Sequence, residues 1–128
     1  MKRILAILCG GLLLVAVGCR KHVSDECLQA KVIRITCAST VFQVFNNNAI
    51  GQDGWLDIYD NNRSYDNVFA VSNVCRLASE HQVGNVVYVT TAKAGKNDCV
   101  RCELYDAAPK ISYEVKTIGN LPCCDASK

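Results

Sequence analysis

From Cys27 onward the pattern of apolar and polar positions becomes that of strands. Lys31-Val32-Ile33-Arg34-Ile35-Thr36-Cys37 places Ile33, Ile35 and Cys37 on one face and Arg34 and Thr36 on the other, the period-two signature of a half-buried β-strand. Val41-Phe42-Gln43-Val44-Phe45 follows after only Ala38-Ser39-Thr40, a connection short enough to fold the second strand back on the first as a hairpin. From 46 to 66 the alternation lapses into Asn46-Asn47-Asn48, Gly51, Asp53-Gly54 and Asp60-Asn61-Asn62. These residues tolerate left-handed backbone or bond their own main chain, which predicts the longest irregular stretch of the domain. Strand character returns over Tyr65 to Val71. Asn73 then offers an N-cap ahead of Val74, Leu77 and Ala78 at helical spacing, so a short helix is expected to run toward His81. Gly84-Asn85 turns the chain into Val86 to Ala92, the strongest strand signal, and Ile111 to Thr117 alternates to give a last strand.

The predicted order is strand, strand, strand, short helix, strand, strand. It makes the domain all-β and matches a small single-domain β-barrel of OB-like architecture, in which a helix sits between the third and fourth strands. A β-sandwich built from the same strands is the alternative, because strand existence is more legible than strand topology. The architectural likeness carries no motif and by itself names no ligand.

The opening of the chain follows a different pattern. Lys2 and Arg3 precede an uncharged run from Ile4 to Gly18, which closes on Leu14-Val15-Ala16-Val17-Gly18-Cys19 and is followed by Arg20 and Lys21. That order is a secretion signal, and the run falls short of the roughly 20 residues that a membrane-spanning helix needs. The small residues Ala16 and Gly18 ahead of Cys19 resemble the lipobox of bacterial lipoproteins. The resemblance implies cleavage before Cys19, alkylation of its thiol by diacylglycerol and acylation of its new α-amino group. Three chains exceed the two-signal threshold for stable anchoring. It also implies a bacterial cell-envelope location, with the outer membrane favoured because Arg20 stands where an acidic residue often signals inner-membrane retention. The expected organisation is a signal peptide over 1–18, a tether over 19–26, one β domain over 27–124 and a tail over 125–128.

Cleavage changes how the composition reads. The 128 residues shrink to one ordinary domain. Loss of Lys2 and Arg3 leaves 12 basic residues of the original 14, against 12 acidic ones. A balanced domain argues against a nucleic-acid partner, whose affinity comes from clustered cations. Of nine cysteines, Cys9 departs with the signal and Cys19 is the lipid site. Cys27, Cys37, Cys75, Cys99, Cys102, Cys123 and Cys124 remain as disulfide candidates, an odd set that fits three bridges and one leftover thiol. Beyond the inner membrane such a density reads as a covalent framework for a domain with a small core. Cys27 and Cys37 lie about 33 Å apart along a continuous strand at about 3.3 Å per residue, whereas a bridge tolerates about 7 Å between Cα atoms. Each therefore needs a distant partner, which would tie the C-terminal end to the barrel.

Catalytic chemistry finds little support. Cys99-Val100-Arg101-Cys102 has thioredoxin-type spacing, but no βαβ unit supplies the helix end that activates such a pair. A four-thiolate zinc site with Cys123 and Cys124 is disfavoured, because adjacent cysteines make poor partners in one tetrahedron. His22 and His81 are the only histidines, and neither a Ser/His/Asp set nor a phosphate loop can be assembled. The only non-protein group expected is the lipid on Cys19. The stretch from Gly51 to Tyr65 holds the one Trp and two of five Tyr among Asn and Asp. Trp55, Tyr59 and Tyr65 are candidates for a ligand surface, against the simpler reading that Trp55, Leu56 and Ile58 plug the barrel. The expected function is a lipid-anchored accessory or binding domain contacting an envelope protein or glycan. The alternatives are a thiol-disulfide redox protein using Cys99 and Cys102, and a purely structural spacer.

Overall fold

The computed structural model describes residues 27–77, 80–96 and 102–123. The signal segment with Cys19, the tether, Cys99, Cys124 and the tail lie outside the described residues. Strands β1 (Cys27–Ile35), β2 (Thr40–Val44), β5 (Val68–Val71), β6 (Val86–Lys93) and β7 (Ser112–Gly119) close a barrel in the order β1-β2-β5-β7-β6. The pair β5–β7 is parallel and the other pairs are antiparallel. This five-stranded closed order is the OB-like architecture rather than a sandwich. Closure leaves the barrel without an open sheet edge.

Two bulges make closure possible by bending and twisting the strands that carry them. In β1, Val32 pairs with Phe42 but Arg34 with Val41, so Ile33 is the extra residue. In β7, Thr117 pairs with Thr90 but Val115 with Thr91, so Lys116 is extra. Each bulge switches the inward face. Ala30 and Val32 point into the barrel with Phe42, Phe69, Val71, Val87, Val89 and Val115, whereas Ile33 joins Val41, Trp55 and Val68 in a second cluster. The alternation predicted for Lys31 to Cys37 therefore fails at Ile33. Ile35 is 44 % exposed and Arg34 is buried at 5 %.

The second cluster exists because residues 46–66 are not irregular throughout. Within them β3 (Trp55–Asp57) and β4 (Arg63–Tyr65) form a separate two-stranded hairpin, laid over the outer face of the barrel. Asn61 and Asn62 take the left-handed conformation in its turn, which the short amide side chain tolerates. Gly51 supports the hairpin's approach. Its φ is +98°, and a Cβ there would meet the Asn67 carbonyl carbon at 2.5 Å.

The expected helix is only a 3-10 turn, Val74–Arg76, ended by the extended Leu77. Its intended cap is engaged elsewhere. The Asn73 amide accepts from Val115 N at 2.9 Å and donates to Val115 O at 2.7 Å, prolonging the parallel β5–β7 pairing rather than capping a turn. Val74 and Leu77 still pack against the barrel core, so the apolar positions were legible while the element was not.

Two disulfides staple the ends. Cys27 at the start of β1 is bonded to Cys123 beyond β7, and Cys37 in the β1–β2 turn to Cys102. Cys75 is also disulfide-bonded.

Candidate functional site

The bulge at Ile33 turns Arg34 onto the outer face of the barrel, where the β3–β4 hairpin covers it. An arginine there must be compensated, because an unpaired buried cation is prohibitively costly. Its Nη1 donates to Asp57 Oδ1 of β3 at 2.9 Å. Its Nη2 donates to Ser39 Oγ at 3.3 Å and lies 3.5 Å from Asp106 Oδ2. The guanidinium carbon sits 4.8 Å from the Trp55 ring and 5.3 Å from the Tyr59 ring, within reach of cation–π attraction.

Asp106 belongs to the segment between β6 and β7, which lacks regular structure from 102 to 111 and is anchored point by point. The Cys37–Cys102 bond fixes its start. Thr36 Oγ1, at 2.8 Å, and Ser39 Oγ both donate to Asp106 Oδ2. Trp55 Nε1 donates to the Ala107 carbonyl at 2.8 Å, and Lys110 N donates to Gln52 Oε1 at 2.8 Å. Three chain regions thus converge on one buried cluster.

Burial works to raise the pKa of Asp106. Hydrogen bonds from Ser39, then Thr36, and the charge of Arg34 more than offset it, so the carboxyl lies below its ordinary value. Since the unfolded chain then binds the proton more readily, the stability Asp106 contributes is fully present above its unfolded pKa, near about 3.9, and is lost as pH falls through the lower folded value. We expect Asp106→Asn to be less stable than the parent at neutral pH and to lose stability less steeply below about pH 4. Acid-unfolding curves with identical limbs would remove Asp106 from that role.

Beside this cluster a cleft of about 390 Å³ lies between β1 and the hairpin, lined by Lys31, Ile33, Arg34, Ile35, Asp57, Tyr59, Asp60, Tyr65, Val83 and Gly84. Tyr59 is 55 % exposed on it. Tyr65 donates its hydroxyl to Asp60 Oδ2 at 2.7 Å. Its pKa is raised, first by burial and then by that bond. Arg63 completes the corner, 3.6 Å from Asp60.

The aromatic trio expected from the sequence does not form one surface. Trp55 is buried at 5 % and packs in the second cluster with Tyr65 against it, while Leu56 and Ile58, expected inside, are exposed. Of the three, Tyr59 alone presents an open ring. Sequence reasoning missed Arg34, Asp57, Asp106, Thr36 and Ser39. Only the lone cation in Val-Ile-Arg-Ile hinted at them, and half-exposed strands carry such residues routinely. Of the thiol pair considered for redox chemistry, Cys102 is bonded to Cys37, and Cys99 lies outside the described residues. Among the described residues no group of three or more His, Cys, Asp and Glu side chains is placed to hold a metal ion. No protein-family model, curated protein or solved structure matches this chain.

Proposed function

We propose that the chain is a lipid-anchored binding domain of a bacterial cell envelope, held through Cys19 and engaging its partner at the cleft beside Tyr59. The observation that carries the binding half is the construction of that cleft. An open aromatic ring and hydrogen-bonding side chains stand on a buried, cross-tied base, the arrangement that keeps a recognition surface in place before its ligand arrives. The anchoring half is supported by the lipobox-like run ending at Cys19.

Cell fractionation tests the anchor. Cys19→Ser should move the protein out of the membrane pellet, because the apolar run is too short to hold a folded domain unaided. A variant that stays in the pellet and retains residues 1–18 would refute lipid anchoring. Capture of partners from intact cells with the lipidated form tests the binding half. A specific partner lost on Tyr59→Ala supports it, and recovery of none favours a structural spacer.

A further inference from the structure

We propose that the cleft beside Tyr59 is a saccharide site for a neutral glycan of hexose or N-acetylhexosamine units, with Tyr59 as the stacking platform and Asp60 and Lys31 as its hydrogen-bonding groups. The proposal rests on the binding-domain reading above and names its ligand class.

The first argument is the state of Tyr59. The residue is 55 % exposed, yet its ring lies near the Arg34 guanidinium, and its backbone N–H donates to Asp57 Oδ1 at 3.0 Å. Asp57 Oδ1 is also the acceptor for Arg34. The backbone that carries the platform is therefore tied to the buried cluster, so docking a ligand there orders little main chain that is not ordered already. A flat apolar ring suits the C–H face of a pyranose, whose rim of hydroxyls needs donors and acceptors close by.

The second argument is charge. Arg34 faces Asp57 and Asp106, and Arg63 faces Asp60. Of the residues that line the cleft, Lys31 and Arg34 stand against Asp57 and Asp60, so the lining is balanced. A nucleic acid or other polyanion needs clustered unmatched cations, which a balanced lining does not supply. What it offers instead is polar atoms that bond hydroxyls without a net field.

The third argument limits the commonest peptide mode at β1. An extended peptide adds to an open strand edge. On one side β1 pairs with β2, and on the other Val32 bonds the Asn85 carbonyl and Gly84 N–H at 2.9 and 2.8 Å. The volume of about 390 Å³ lies at the small end of ligand pockets, about 300–1,000 Å³, a scale that suits one or two sugar rings.

Trp55 supplies the readout, since its ring and that of Tyr59 touch the same guanidinium. The purified full-length protein is titrated with the tetramers of glucose and of N-acetylglucosamine while Trp55 fluorescence is followed. A saturable change is expected with at least one tetramer. Tyr59→Ala should weaken it tenfold or more, Tyr59→Phe should retain it, and Leu121→Ala, at a 79 % exposed side chain beyond β7, should leave it unchanged. Asp60→Asn, on a partly exposed side chain, gives an independent weakening should Tyr59→Ala melt early. No saturable change with either tetramer, or one that both Tyr59→Ala and Asp60→Asn leave intact, overturns the saccharide site. If sugars fail but a protein captured from cells is lost on Tyr59→Ala, the ligand class is wrong and the binding domain stands. If capture also survives Tyr59→Ala, the cleft is not the binding face.

Discussion

Complete reduction should unfold the domain at 37 °C. The Cys27–Cys123 and Cys37–Cys102 bonds close segments of 96 and 65 residues, for which loop-closure entropy alone predicts about 4 to 5 kcal/mol each. Losses measured on removing one native bridge from a small secreted domain run at about 2 to 5 kcal/mol, against a total stability of about 5 to 15 kcal/mol for ordinary domains. Two losses of that size, even if they overlap, consume most of what such a barrel has. The two bridges also differ in what they hold. Replacing Cys37 and Cys102 by Ser frees the start of the segment that carries Asp106 and Ala107, so the emission of Trp55 should shift to the red. Replacing Cys27 and Cys123 releases the far end of the barrel and should leave that emission in place until the protein melts. A melting curve unchanged after reduction verified by mass would show that the barrel core stands alone.

Arg34→Leu should destabilise the fold by about 3 to 5 kcal/mol, the usual cost of removing one partner from a buried ion pair. The reason is what remains. Asp57 and Asp106 are 3 % and 7 % exposed at their side chains, and without the guanidinium both stay in the interior with no cation. Leucine would restore apolar contact with Trp55 but supply no compensating charge. The deficit should shrink as the pH is lowered, because protonation of the stranded Asp106 carboxyl removes uncompensated charge. Chemical denaturation at pH 7 and pH 4 reads both effects. A loss below about 1 kcal/mol, the scale of an exposed ion pair, would mean that the cluster is hydrated in solution and is not the rigid base that the cleft requires.

These two expectations lie on opposite sides of what could be read early. The staple was anticipated from cysteine density and from the distance between Cys27 and Cys37 along one strand, both properties of a list of residues and a rise per residue. The charge cluster was not. Arg34 sits in a run that scans as a half-exposed strand, and its burial depends on one extra residue, Ile33, opposite the Phe42–Val41 step. A bulge costs little locally and is selected by whether the barrel can close, a property of five strands at once. The same holds for Asn73. Its side chain fits a helix cap by local preference, but Val115 lies within bonding distance only because β7 returns beside β5.

Local chemistry by itself determined the all-β character, the approximate positions of the five barrel strands and a covalent framework. These follow from β-branched and aromatic residues alternating with polar ones between turn formers, and alternation is an interaction of each residue with a surface that any sheet provides. Tertiary structure alone decided which face Arg34 and Ile33 take, that Trp55 is core while Tyr59 is open, and that Asp57 and Asp106, separated by 49 positions, share one cation. Those outcomes depend on register, and register is a collective choice. A shift of one residue sends every later side chain of a strand to the other face, and the pairing that fixes it lies on other strands, far along the chain.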